Sequence, residues 1–159
     1  MNSANVQRMF TDRASRFQGG VSKQPTRLTI TKVDGEWRDA TFKRLEELVQ
    51  LPVGWDGYDG LPVNLANAYF ALQMLDTVCR TNTPTPQIVP MSDGGLQIEW
   101  HTLNEDIEIQ VRGPYEVSAW HSTEHGDDVD AMQLTNDFLP IASWISEMTE
   151  PEIALRVAA

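Results

Sequence analysis

The clearest pattern in the chain has a period of two. Leu96, Ile98 and Trp100 alternate with Gln97, Glu99 and His101; Ile107, Ile109 and Val111 alternate with Glu108, Gln110 and Arg112. A third run sets Tyr115, Val117 and Ala119 against Glu116, Ser118 and Trp120. Such alternation marks strands with one face on a core and the other in water. The short apolar "PQIVPM" precedes these runs, and "SDGG" and "NED" supply the turns between them. The whole predicts an antiparallel meander of about four strands. In this reading "DGG" gives Gly94 and Gly95 the positive φ angles of a tight hairpin. "STEHGDDVDAMQLTND" then reads as an acidic connection.

Three segments carry a helical period instead. From Asp39 as N-cap, Phe42, Leu45, Leu48 and Val49 form one stripe, which Pro52 ends. Asn64 caps a second helix, on which Leu65, Ala68, Tyr69, Leu72, Leu75 and Val78 recur at three and four residues. Phe70 and Met74 widen that arc, so this helix is expected to be buried on more than one side. Phe138, Ile141, Ile145 and Met148 mark a third, with Pro140 in its first turn. Upstream, "RLTITKV" (27–33) has strand chemistry. The predicted class is therefore α+β, an antiparallel meander sheet with helices packed on one face. Residues 26–150 form the single domain, 1–25 a flexible arm with few apolar anchors, and 151–159 a tail or short appended helix.

Between the first two helices lies "LPVGWDGYDGLPVN", which holds two aromatic residues where a turn would suffice. The expectation is a structural plug made of Trp55, Asp56, Gly57 and Tyr58. Trp55 and Tyr58 would cover the end of the core, and Asp56 and Asp59 would bond to backbone N–H groups within the loop. On that reading Trp55→Ala costs about 3 kcal/mol or more.

Charge alters the picture of partners rather than of fold. Residues 1–50 hold nine Lys or Arg against six Asp or Glu; residues 51–159 hold three against seventeen, with no lysine. An anionic surface of that density repels phosphate backbones, which disfavours nucleic-acid binding except through Arg8, Arg13 and Arg16 of the arm. It favours a protein partner with a basic surface. Cys79 is the only cysteine and excludes an intramolecular disulfide; within a helical pattern it reads as a small buried hydrophobe. No apolar run has membrane-spanning length and the first residues lack a signal-peptide pattern, so a cytoplasmic protein is expected.

No nucleophile-elbow or phosphate-loop motif is present, and no cofactor is expected. The acidic stretches around Asp56 and around Asp127, Asp128 and Asp130 lack the ligand spacing of a calcium loop, so no metal site is assigned. The polar sheet face gathers Glu99, His101, Glu108, Arg112, Glu116 and Trp120 into a candidate binding surface, with no catalytic residue assigned. Acidic groups beside an aromatic ring suit a hot spot facing Lys or Arg. The leading expectation is a non-enzymatic interaction factor: an inhibitor, antitoxin or accessory protein. A metal-dependent hydrolase or nuclease using Glu99, His101 and Glu108 is one alternative, although His101 and Gln110 stand where a nuclease core of the restriction type would place its lysine. A phage structural or assembly protein with an ordering arm is another.

Two motifs, "GWDGYDGLPV" and "PQIVPMSDGGLQIEWH", resemble a group of small bacterial and phage-associated proteins. Their pattern is a Trp-Asp-x-Tyr-Gly loop before a helix, then a Pro-x-x-x-Pro strand and an Asp-Gly-Gly hairpin leading to Glu-Trp. The likeness spans about residues 45 to 121, and Asp59 replaces the usual glycine after the tyrosine. It implies an α+β fold and a setting on bacterial chromosomes or mobile elements. It implies no activity.

Overall fold

The computed structural model describes residues 35–126 and 129–158. The predicted arm and the strand expected at 27–33 lie outside these. Helix α1 (Glu36–Val49) and helix α2 (Leu65–Val78) precede five strands, β1 (Gln87–Pro90), β2 (Leu96–His101), β3 (Glu105–Gly113), β4 (Glu116–Thr123) and β5 (Val129–Leu134), and helix α3 (Leu139–Ala158) follows. The strands form one antiparallel sheet in sequential order, so each pairs with its chain neighbour. The α+β meander is as the alternation predicts, with five strands rather than four.

The fifth strand lies in the stretch read as an acidic connection. Its alternation is hidden because the β4–β5 register shifts between Ala119 and His121, which breaks the period of two, and because it is an edge strand. Helix α1 begins at Glu36, three residues before the predicted cap. Gly35 is the N-cap without a side-chain bond, and Asp39 sits in the first turn. The earlier start buries Trp37 completely, with its indole N–H donating to Arg80 O at 2.8 Å. Asn64 caps α2 as expected, accepting from Ala66 N at 2.8 Å. Backbone helix in α3 continues through the segment predicted as a tail, to Ala158.

One sheet face is covered by the helices and, among the described residues, the other is open. Leu96, Ile98, Ile107, Ile109, Val111 and Ala119 are fully buried on the covered face, together with Leu45, Leu75 and Ile141 from the three helices. α2 buries Phe70, Ala71 and Met74 beside its main stripe, which is the wider arc its sequence implies. Arg38 of α1 grips Asp76 of α2 through two bonds of 2.7 and 3.0 Å. Burial, with Asp76 adding to it, pushes the Cys79 thiol up to about 12, so it stays protonated at neutral pH.

The turns carry two corrections. Of the glycine pair, only Gly94 has a positive φ, +86°. Gly95 is needed for space, since a Cβ there would lie 2.8 Å from Val111 O. Tyr115 is in the β3–β4 turn with φ +67°, outside the strand, and its ring meets Phe70 edge to face at 5.1 Å.

Candidate functional site

Registration of β2 against β3 and β4 brings most of the predicted surface residues onto one open face. Glu99 stands opposite Glu108, and Glu108 opposite Trp120. His101 stands opposite Asp106. In the neighbouring row Gln97 faces Gln110, which faces Ser118, which faces Gln133. These positions are the polar half of each alternating run, so the face follows directly from strand geometry.

Hydrogen bonds join them along the length of the strands. His101 Nδ1 lies 2.8 Å from Asp106 Oδ1, and its Nε2 lies 3.1 Å from Glu99 Oε2. Gln97 Nε2 donates to Glu99 Oε1 at 2.5 Å. Gln110 Nε2 donates to Gln97 Oε1 at 3.1 Å and to Glu108 Oε1 at 3.2 Å. Arg112 donates to Gln110 Oε1 at 3.4 Å and, more closely, to Asp93 Oδ2 at 2.6 Å. The network thus runs from Asp106 at one end of the face to Asp93 at the other.

Two acceptors at one imidazole favour its doubly protonated form. The bond to Asp106, and after it the bond to Glu99, raises His101 above the ordinary histidine range. Arg112 is matched by Asp93. Among the described residues no Lys or Arg side chain bonds Glu99 or Glu108. Glu116 lies at the β3–β4 end, its carboxylate packed beside Gly113, and Trp120 is half-buried.

His121 belongs to the other side of the sheet. It lies opposite Ile107 on the covered face and is only 6% exposed. Its ring stacks on Trp144 of α3 at 5.1 Å, and its Nε2 is 3.2 Å from Glu105 Oε2. Alternation from Val117 and Ala119 already assigns it there. Gln97, Gln110 and Asp106, which connect the open face, also obey the period of two. Asp93 does not, because it reaches the face from a turn.

The loop at 51–64 is a correction in part. Trp55 is half-buried and its indole N–H donates to Leu61 O at 2.9 Å. Asp56 Oδ1 accepts from the N–H groups of Tyr58 and Gly60, each at 3.0 Å, and these bonds hold its carboxyl below the usual range. Gly57 takes φ +85°. Tyr58, however, is 86% exposed and covers no core. The loop closes through its own backbone bonds, Gly54 N–H to Gly60 O at 2.8 Å among them, and needs no second ring to seal it.

The loop also docks on the β1–β2 hairpin. Leu61 N–H donates to Ser92 O and Asn64 N–H to Gly94 O, both at 2.9 Å. Buried Asn67 adds bonds to Gly94 O at 3.0 Å and Arg112 O at 3.2 Å. The two motifs that carry the resemblance are therefore in contact.

Fold and site together define an α+β protein with an open, acidic, hydrogen-bonded sheet face. No family model, curated protein or solved structure matches the chain. The motif resemblance rests on the loop and hairpin by themselves. Among the described residues no group of three or more His, Cys, Asp or Glu side chains is placed to hold a metal ion. No helix of the described residues is long and apolar enough to cross a membrane.

Proposed function

We propose that the protein is a non-enzymatic interaction factor, an inhibitor, antitoxin or accessory protein in a bacterial or phage setting, whose open sheet face receives a basic surface of a protein partner. The observation that carries this reading is the pair Glu99 and Glu108, directly opposite on adjacent strands with no Lys or Arg bonded to either among the described residues. Like charges in that relation cost free energy in the isolated protein. A Lys or Arg brought between them relieves the repulsion, so the same arrangement favours a cationic partner. Trp120, next along the row, offers a ring face to the same cation.

The test is to capture partners on the full chain at about 0.1 M salt, where the Debye length is about 10 Å, and to identify them by mass spectrometry. Capture is then repeated with Glu99→Lys, Glu108→Lys and Glu116→Lys combined. Loss of the captured protein is expected. Undiminished capture by a folded triple variant rejects the reading.

A further inference from the structure

Among the described residues the sheet is open, so β1 and β5 each present an edge, and the two edges are finished differently. Met91 N–H donates to Gly95 O at 3.0 Å. By the alternation of antiparallel ladders, Val89 and Gln87 then bond to β2 while Ile88 and Pro90 turn outward. Ile88 O already accepts the Arg44 guanidinium at 3.1 Å, and Pro90 has no N–H to offer. These are the usual means of closing an edge.

β5 has neither of these two devices, and its register shift lies toward the Val129 end, away from Gln133. Glu124 N–H donates to Asn104 O at 2.9 Å, which sets the phase of the β3–β4 ladder and turns Val117 and Ala119 toward β5. Their partners Leu134 and Met132 bond inward, leaving the C=O of Ala131 and both the N–H and the C=O of Gln133 pointing away from the sheet. Both residues are exposed, and the strand contains no proline. Among the described residues no further backbone bond satisfies these groups.

Charge selects the occupant. Residues 113–155, with β5 in their middle, contain nine Asp or Glu and no Lys or Arg. The same region of a second copy would bring the same excess against itself. We propose that β5 is a docking edge at which an extended, Lys- or Arg-bearing segment of a partner protein adds as a sixth strand. Main-chain bonds to Gln133 and to the C=O of Ala131 give the affinity, and alternate side chains give the selectivity. The new strand lies about 10 Å from β4, so an arginine on its open-face side reaches the Trp120 ring. This inference rests on the reading of the open face as a surface for a basic partner and adds the mode by which that partner binds.

The probe is a labelled peptide of about ten residues alternating Thr or Val with Lys or Arg, titrated with the full chain by fluorescence anisotropy. It is compared with the same peptide N-methylated at alternate backbone positions, and with a Gln133→Pro variant, which removes an outward N–H and the side-chain contact to Ser118 but no ladder bond. The wild-type chain is expected to bind the plain peptide, with Kd rising about tenfold or more for the methylated peptide and for the variant. If Gln133→Pro fails to fold, the methylated peptide on wild-type protein decides the question alone. Equal affinity for plain and methylated peptides overturns the docking edge; if Glu99→Lys with Glu108→Lys still weakens binding, the open-face reading survives that loss. Sensitivity to methylation without sensitivity to charge reversal supports the edge and removes the face. Self-association in sedimentation runs that Gln133→Pro abolishes gives β5 to a second copy and also overturns the proposal.

Discussion

Each face of the sheet carries a histidine in contact with a carboxylate, and the two pairs sit in opposite surroundings. His121 and Glu105 lie on the covered face, the imidazole pressed flat on Trp144 and almost wholly out of water. His101, with Asp106 and Glu99, lies on the open face, its side chain 57% exposed. On the covered face polar atoms are few and apolar volume dominates; on the open face a polar network spans the strands and little apolar area is removed from water. The covered face should therefore respond to lost volume, and the open face to charge, salt and pH.

The largest effect is expected from the covered face. Ile109→Ala removes a fully buried side chain at the centre of β3 and should destabilise the protein by about 2–5 kcal/mol. Urea unfolding followed by tryptophan fluorescence reads this as a fall in midpoint at constant slope. The loop at 51–64 falls between the faces. Because Trp55 is half-buried, Trp55→Ala should cost about 1–2 kcal/mol, less than the sequence-based expectation. Tyr58→Ala should change stability by no more than about 0.5 kcal/mol. A loss of several kcal/mol at Tyr58 would put that ring back into the plug.

How much of this is legible in the sequence follows from which forces act locally. Period-two alternation assigns Leu96, Ile98, Ile107 and Ile109 to the core and Glu99, His101 and Glu108 to the open face, because pleat geometry depends on parity alone. The same parity places His121 inside, although its polar character groups it with the surface. Features that depend on tertiary contacts are not legible. Tyr58 resembles a buried aromatic until the loop is seen to close through backbone bonds. Asp93 joins the site only because Arg112 reaches across from β3 to the β1–β2 turn. A register shift hides the alternation of β5, whereas β1, also an edge, is marked out by prolines at 84, 86 and 90. Trp37 carries no helical signal of its own because its helix begins without a side-chain cap.

A smaller effect, of opposite sign, is expected from removing a charge on the open face. Glu108→Gln takes away the carboxylate opposite Glu99 while leaving an amide able to meet Gln110. Stability should rise by about 0.2–1 kcal/mol at low salt, and the gain should shrink as salt is added. Glu99→Gln relieves the same repulsion but also replaces the charged acceptor of His101 with a neutral amide, so its gain should be smaller. A larger gain from Glu99→Gln than from Glu108→Gln would mean that the His101 contact contributes nothing.

The smallest effect is the pH response of His101. His101 titrates above its ordinary value of 6.5 because Asp106, and after it Glu99, accept from the protonated ring. A group whose pKa is raised on folding contributes stability that is fully present below its unfolded pKa and is lost as pH rises through the folded one. The contribution of His101 should thus be complete below about pH 6.5 and fade above it, and at so exposed a site it should stay under about 1 kcal/mol. NMR titration of the imidazole protons gives the sharper measurement. Asp106→Asn should lower the His101 midpoint more than Glu99→Gln does, following the shorter of the two contacts. If neither change moves the midpoint, the imidazole is not held by these carboxylates in solution, and the open-face network ends at Glu99.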